Sequence, residues 1–109
     1  YFNVYDHIAR QEHFDAVIHL GDYYYEYGAG EYEGASETNL NRVHSPKHEI
    51  ITLDDYRQRH AQYRSDNSLQ LLTQKLPLIA IWDDHETSND SWKSGADNHD
   101  LAIQKNLLF

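Results

Sequence analysis

At 109 residues, 39% hydrophobic and 25% charged, the sequence has the size and the soluble-globular balance of one domain with a modest core. It has no cysteine, which excludes disulfides, zinc-thiolate sites and thiol nucleophiles among these residues. A net charge of −9, with eight His left out, argues against a grip on nucleic-acid phosphates, and no stretch approaches the roughly 20 apolar residues of a membrane span.

The chain opens on Tyr1-Phe2-Asn3-Val4-Tyr5, with neither a Met nor the basic region of a signal peptide, so it reads as a processed product or an excerpt of a longer chain. Tyr5 to Glu12 has Tyr5, Ile8 and Ala9 on one helical face, the pattern of a short amphipathic helix. Asp15-Ala16-Val17-Ile18-His19-Leu20 is predicted to be a buried parallel strand that stops at the Gly21-Asp22 turn. His19 inside it is expected to be a satisfied core or sheet-face histidine. From Gly28 to about Ile51 the periodicity dissolves among Gly, Ser, Asn and His, which predicts a long loop. His44 and His48 have the spacing of a helical metal pair, but Pro46 between them argues for loop residues without a ligand role.

Thr52-Leu53-Asp54-Asp55 starts a helix: Thr52 can cap it, and the acids suit its first turn. Tyr56, His60 and Tyr63 recur at helical spacing and carry it to about Arg64. A second helix is predicted over Ser68–Lys75, with Leu69, Leu72 and Leu76 on one side, a start signal at Asp66 or Asn67, and Pro77 as its breaker. Leu78-Ile79-Ala80-Ile81-Trp82 is the second predicted buried strand, and it stops at Asp83-Asp84-His85-Glu86. A polar loop with Ser88, Asn89, Asp90 and Gly95 follows, then Leu101 to Phe109 at helical spacing. Strands alternating with helices predict an α/β layer with parallel strands. Two strands make a thin sheet, so residues 1–109 are expected to be one segment of a larger domain.

In open α/β sheets, ligands bind at the carboxyl ends of strands, and both strands here finish in metal-ligand residue types. An acidic chain repels a phosphate substrate unless cations intervene, which points to metals if the substrate is a phosphate. Gly21 permits a tight turn, and the Asp22 carboxylate can bridge two cations. On residue chemistry alone, Tyr23, Tyr24, Tyr25 and Tyr27 read as an aromatic cluster over a core or pocket rim. Asp84 can bind a cation, and His85 can face substrate and supply a proton to a leaving oxygen. Asp83 and Asp84 read equally well as capping or turn acids, and His85 as a hydrogen-bonded loop histidine. His13, His60 and His99 have no partner that sequence can identify. Neither a glycine-rich phosphate loop nor a Gly-x-Ser-x-Gly elbow occurs, so kinase-like and serine-hydrolase readings lack support.

Phe14-Asp15-Ala16-Val17-Ile18-His19-Leu20-Gly21-Asp22-Tyr23-Tyr24-Tyr25-Glu26-Tyr27 and Ile79-Ala80-Ile81-Trp82-Asp83-Asp84-His85-Glu86 resemble the alkaline phosphatase D (PhoD) family. Leu53-Asp54-Asp55-Tyr56-Arg57 and Gln62-Tyr63-Arg64-Ser65-Asp66 resemble it too. The resemblance implies part of a calcineurin-like metallophosphoesterase domain, a two-layer β-sandwich flanked by helices. It implies hydrolysis of phosphate mono- and diesters by periplasmic or secreted enzymes. It also implies a ferric ion held by tyrosinate, as in purple acid phosphatases, paired with calcium. Matched by position, Asp22 would be the bridging carboxylate and Tyr25 the ferric ligand. Asp84 stands where many metallophosphoesterases have a ligand Asn, and His85 matches the histidine beside the scissile phosphate. The family's other ligands, an upstream Cys and downstream His motifs, are expected before Tyr1 and past Phe109. The isolated chain is therefore expected to do little or no catalysis. A non-catalytic calcium-binding or interaction module is the alternative, using Asp22, Asp83, Asp84 and Glu86 and needing neither Tyr25 nor His85.

Overall fold

The computed structural model describes residues 2–31 and 43–96. The predicted helix over 101–109 lies outside them, as does the middle of the predicted loop. In chain order the elements are α1 (Asn3–Ala9), β1 (Val17–His19), α2 (Leu53–Arg64), α3 (Asn67–Lys75) and β2 (Leu78–Ala80).

α1 starts and stops earlier than the Tyr5–Glu12 pattern predicts. Its last turn tightens, with the Arg10 N–H on the His7 carbonyl at 3.2 Å and the Gln11 N–H on the Ile8 carbonyl at 3.0 Å. α2 begins on a reciprocal capping box. Thr52 Oγ1 accepts the Asp55 N–H at 3.2 Å, and Asp55 Oδ2 accepts the Thr52 N–H at 2.9 Å. Those bonds, the Thr52 backbone bond first and outweighing the effect of burial, lower the Asp55 carboxyl to about 2. At α3, Asp66 Oδ1 accepts the Ser68 and Leu69 N–H groups at 2.9 and 3.0 Å.

β1 and β2 pair in parallel, as expected, in the register Val17–Leu78, Ile18–Ile79 and His19–Ala80. The ladder extends through Val17 N–H to the Pro77 carbonyl at 2.9 Å and Ile81 N–H to the His19 carbonyl at 3.1 Å. Val17 and Leu78 face a core built on Ala9, Leu69 and Leu72, so α1 and α3 cover one side of the sheet. The alternate residues point the other way. Ile18 is 67% and Ile79 56% exposed, and Leu20 and Ile81 continue that open apolar face. The expectation of two buried strands therefore holds for one face only, because no described residue covers the second. His19 also departs from expectation. Its ring meets Tyr23 edge-on at 5.3 Å, but its buried Nδ1 has no hydrogen-bond partner among the described residues.

On α2 the buried side chains are Tyr56 and Arg59. His60, in helical register with Tyr56, is exposed, with its ring 5.8 Å from those of Tyr23 and Tyr24. No described helix is long and apolar enough to cross a membrane.

Candidate metal centre

The parallel register brings the carboxyl ends of β1 and β2 side by side. Gly21 makes the approach possible. A Cβ there would stand 2.5 Å from Asp83 Cβ and 2.7 Å from the Asp83 nitrogen, and its φ is +106°. Asp22 follows with φ +53°, in the left-handed region that Asp tolerates better than most residues.

All four residues singled out for this site converge. Asp22, Asp84 and His85 each offer one donor atom, and the three atoms lie within 4.8 Å of one another. Tyr25 Oη donates to Asp22 Oδ2 at 2.8 Å, and the Tyr25 ring stacks on His85 at 4.0 Å between centroids. Two carboxylates, an imidazole and a phenol suit a hard or borderline cation, and the Asp22–Tyr25 contact already brings phenol and carboxylate oxygens together. Asp83 and Glu86, the extra ligands of a calcium module, do not join the cluster among the described residues. Asp83 Oδ1 accepts the Asp84 N–H at 3.0 Å. Glu86 Oε2 accepts the Asp83 N–H at 2.6 Å, and its Oε1 accepts the Tyr23 N–H. Glu86 thus ties the two strand ends together through backbone.

Other groups fix the surrounding loops. Arg59 is fully buried and donates to the carbonyls of Tyr25, Tyr27 (3.0 Å), Ser45 (3.2 Å), Pro46 (3.0 Å) and His48 (3.5 Å). It thereby clasps the Tyr25–Tyr27 segment to the loop before α2. Tyr56 Oη donates to the Thr87 carbonyl. Burial, then the charges of Glu26 and other acidic groups around it, push the Tyr56 phenol well above its ordinary range, so it stays a donor. The Asp84 carbonyl accepts Thr87 and Ser88 N–H at 2.8 and 2.7 Å, and Asp84 Oδ2 accepts the Asp90 N–H.

Glu26, 1% exposed, was not singled out from the sequence. Its Oε2 lies 2.8 Å from His85 Nδ1, and its Oε1 accepts the Asn89 N–H at 2.6 Å. Burial depresses the His85 imidazolium, but the Glu26 hydrogen bond and the charges of Glu26, Asp84 and Asp22 outweigh it and leave the pKa above its ordinary value. His44 and His48 stay outside the site, as expected. His44 Nδ1 is 3.2 Å from the Tyr27 carbonyl, and His48 Nε2 is 3.1 Å from Asp55 Oδ1. His99 lies outside the described residues.

Comparisons with known proteins agree with one another. The family model described as PhoD-like phosphatase matches residues 1–107. Alkaline phosphatase D of Bacillus subtilis (strain 168) is 51% identical over 90 residues, which are 83% of this chain and 15% of that protein. A solved structure titled "Structure of PhoD" superposes with a TM-score of 0.81 at 43% identity, covering 94% of this chain and 19% of that one. The chain thus spans under a fifth of the length of the relatives it matches. With a family model over nearly all its residues and 51% identity to a curated relative over 83% of its length, this chain belongs to the PhoD-like phosphatase family.

Proposed function

We propose that the protein carrying this chain is a metal-dependent phosphoesterase acting on phosphate mono- or diesters, with Asp22, Tyr25, Asp84 and His85 forming one side of its metal centre. The observation that carries the reading is the convergence of Asp22, Asp84 and His85 within 4.8 Å, with Tyr25 on Asp22, in a PhoD-like phosphatase. Asp22 would be the carboxylate shared between ions, Tyr25 the ferric ligand and Asp84 a further ligand, with Fe(III) and Ca²⁺ as the pair. Such ions would supply Lewis-acid charge to the phosphoryl oxygens and the attacking water.

The chain's own residues do the rest. His85 presents an imidazole beside the carboxylates, where it can orient the ester or pass a proton to the departing oxygen. Tyr25 shields one face of that ring. The apolar sheet face of Ile18, Leu20, Ile79 and Ile81 fits the inner surface of a calcineurin-like two-layer sandwich, of which these residues would form part. The family also suggests a periplasmic or secreted protein, to be checked by cell fractionation.

The test is hydrolysis of p-nitrophenyl phosphate and its bis ester by the full-length protein with added Fe and Ca. We expect turnover that falls at least 100-fold in Asp22→Asn, on the scale of losing a group that acts only in the transition state. A visible tyrosinate-to-iron absorption band lost in Tyr25→Phe is expected alongside. Full turnover in Asp22→Asn would sink the reading. For the isolated 109-residue chain we expect little or no turnover.

A further inference from the structure

Among the described residues, Glu26 is the one acidic side chain that is fully buried, and the metal reading gives it no task. Its two oxygens have different partners. Oε1 meets the backbone N–H of Asn89, which can only donate. Oε2 meets His85 Nδ1 at 2.8 Å. Taken as a carboxylate, Glu26 only accepts, and the contact then places the hydrogen on Nδ1. The neutral imidazole then has its lone pair on Nε2, the ring nitrogen left for an outside partner. Tyr25 stacked on the face at 4.0 Å and Tyr27 at 5.5 Å limit rotation of the ring. The Asn89 bond keeps the carboxylate itself from swinging away.

We infer that Glu26 is a positioning residue: it locks His85 in the Nδ1–H tautomer and orientation, so that Nε2 is the atom presented to the phosphate ester. The catalytic consequence rests on the phosphoesterase reading above, whereas the tautomer rests on the hydrogen bonds alone. An orienting carboxylate behind a working histidine is a recurrent way to fix which nitrogen is available.

Glu26→Gln discriminates sharply because it preserves size. If its carbonyl oxygen keeps the Asn89 N–H, its NH₂ points at Nδ1 and drives the hydrogen to Nε2. If the amide flips, the NH₂ faces the Asn89 N–H, donor against donor. Neither arrangement reproduces the native pair.

The experiment uses full-length protein labelled with ¹⁵N-histidine, with the His85 signals assigned by their loss in His85→Asn. Nitrogen shifts should show Nδ1 protonated and Nε2 bare in the native protein, and a reversed or mixed tautomer in Glu26→Gln. With p-nitrophenyl phosphate, kcat should fall about 100-fold in Glu26→Gln while KM stays within about threefold, the split of a group acting through the transition state. Glu26→Asp, which keeps the carboxylate on a shorter stem, should recover part of the tautomer and part of kcat. A native His85 with Nε2 protonated and Nδ1 bare would overturn the inference. So would a Glu26→Gln protein that shifts tautomer but keeps native kcat. If the native protein hydrolyses no phosphate ester, the functional reading falls separately, and the nitrogen shifts still decide the tautomer.

Discussion

The two strand exits are held by opposite halves of the peptide group. The loop after β1 is gripped by its carbonyls, which one buried cation, Arg59, collects from Tyr25 and Tyr27 together with those of the loop before α2. The loop after β2 is gripped mainly by its amides, which the carboxylates of Glu86, Glu26 and Asp84 accept from Asp83, Asn89 and Asp90. Only one residue in that second set, Asp84, also belongs to the candidate ligands. The lesson is a division of labour. Backbone geometry is fixed by buried or inward charges, so Asp22, Tyr25 and His85 are not needed to hold the loops and can serve chemistry.

Removing the cation should do the most damage. Arg59→Ala leaves buried carbonyls without their donor and should cost about 3 kcal/mol or more, read as a large fall in the melting temperature of the full-length protein. Arg59→Lys should recover less than half, because a point ammonium cannot fork across several carbonyls. A melting temperature unchanged in Arg59→Ala would remove the cationic half of the comparison.

The place where the two exits touch comes next. Gly21→Ala meets both a positive φ and the Asp83 backbone, and should cost about 2 kcal/mol or more. Gly30→Ala is the control. It shares a positive φ of +82° but has nothing within 4 Å, so about 1 kcal/mol is expected from thermal melts. Equal losses would mean that the contact between the exits contributes little.

The smallest effect lies at the start of α2, which supports both exits through Tyr56 and Arg59. Asp55 is lowered to about 2 from an ordinary 3.8, so the folded state prefers its ionised form. That contribution is fully present above the ordinary value and is lost as pH falls through about 2. The melting-temperature gap between the native protein and Asp55→Asn should be constant above pH 5 and shrink steadily on acidification. Its size corresponds to about 1 kcal/mol of capping. A gap that widens in acid would reverse the assignment.

What the sequence made legible was local or terminal. The Thr52–Asp55 box and the Asp66 cap are written within four residues of the helices they start, and the boundaries of those two helices match the pattern within about a residue, unlike those of α1. The two strand ends were legible because apolar runs stop at ligand-type residues. Glu26 was hidden because its partner His85 is 59 residues away, and nothing in the order of residues pairs them. Arg59 was hidden for another reason: periodicity assigns a charged residue to the outer face, and only a ring of converging carbonyls makes its burial tolerable. Glu86, a ligand only in the alternative calcium module, accepts backbone amides instead, and a carboxylate that binds amides looks in sequence like one that binds calcium. The strands were expected to be covered on both faces, which depends on layers that local pattern does not report.

The left-handed backbone at Asp22 bears on how this site can change over time. At φ +53°, Asn and Gly are at least as comfortable as Asp, whereas Ala or a branched residue is strained. The substitution most damaging to the proposed chemistry, Asp22→Asn, is therefore one that the fold barely resists. A lineage released from selection for catalysis could lose the carboxylate first and keep a well-folded binding scaffold. The same asymmetry makes Asp22→Asn a well-folded control for loss of the carboxylate in the proposed phosphoesterase.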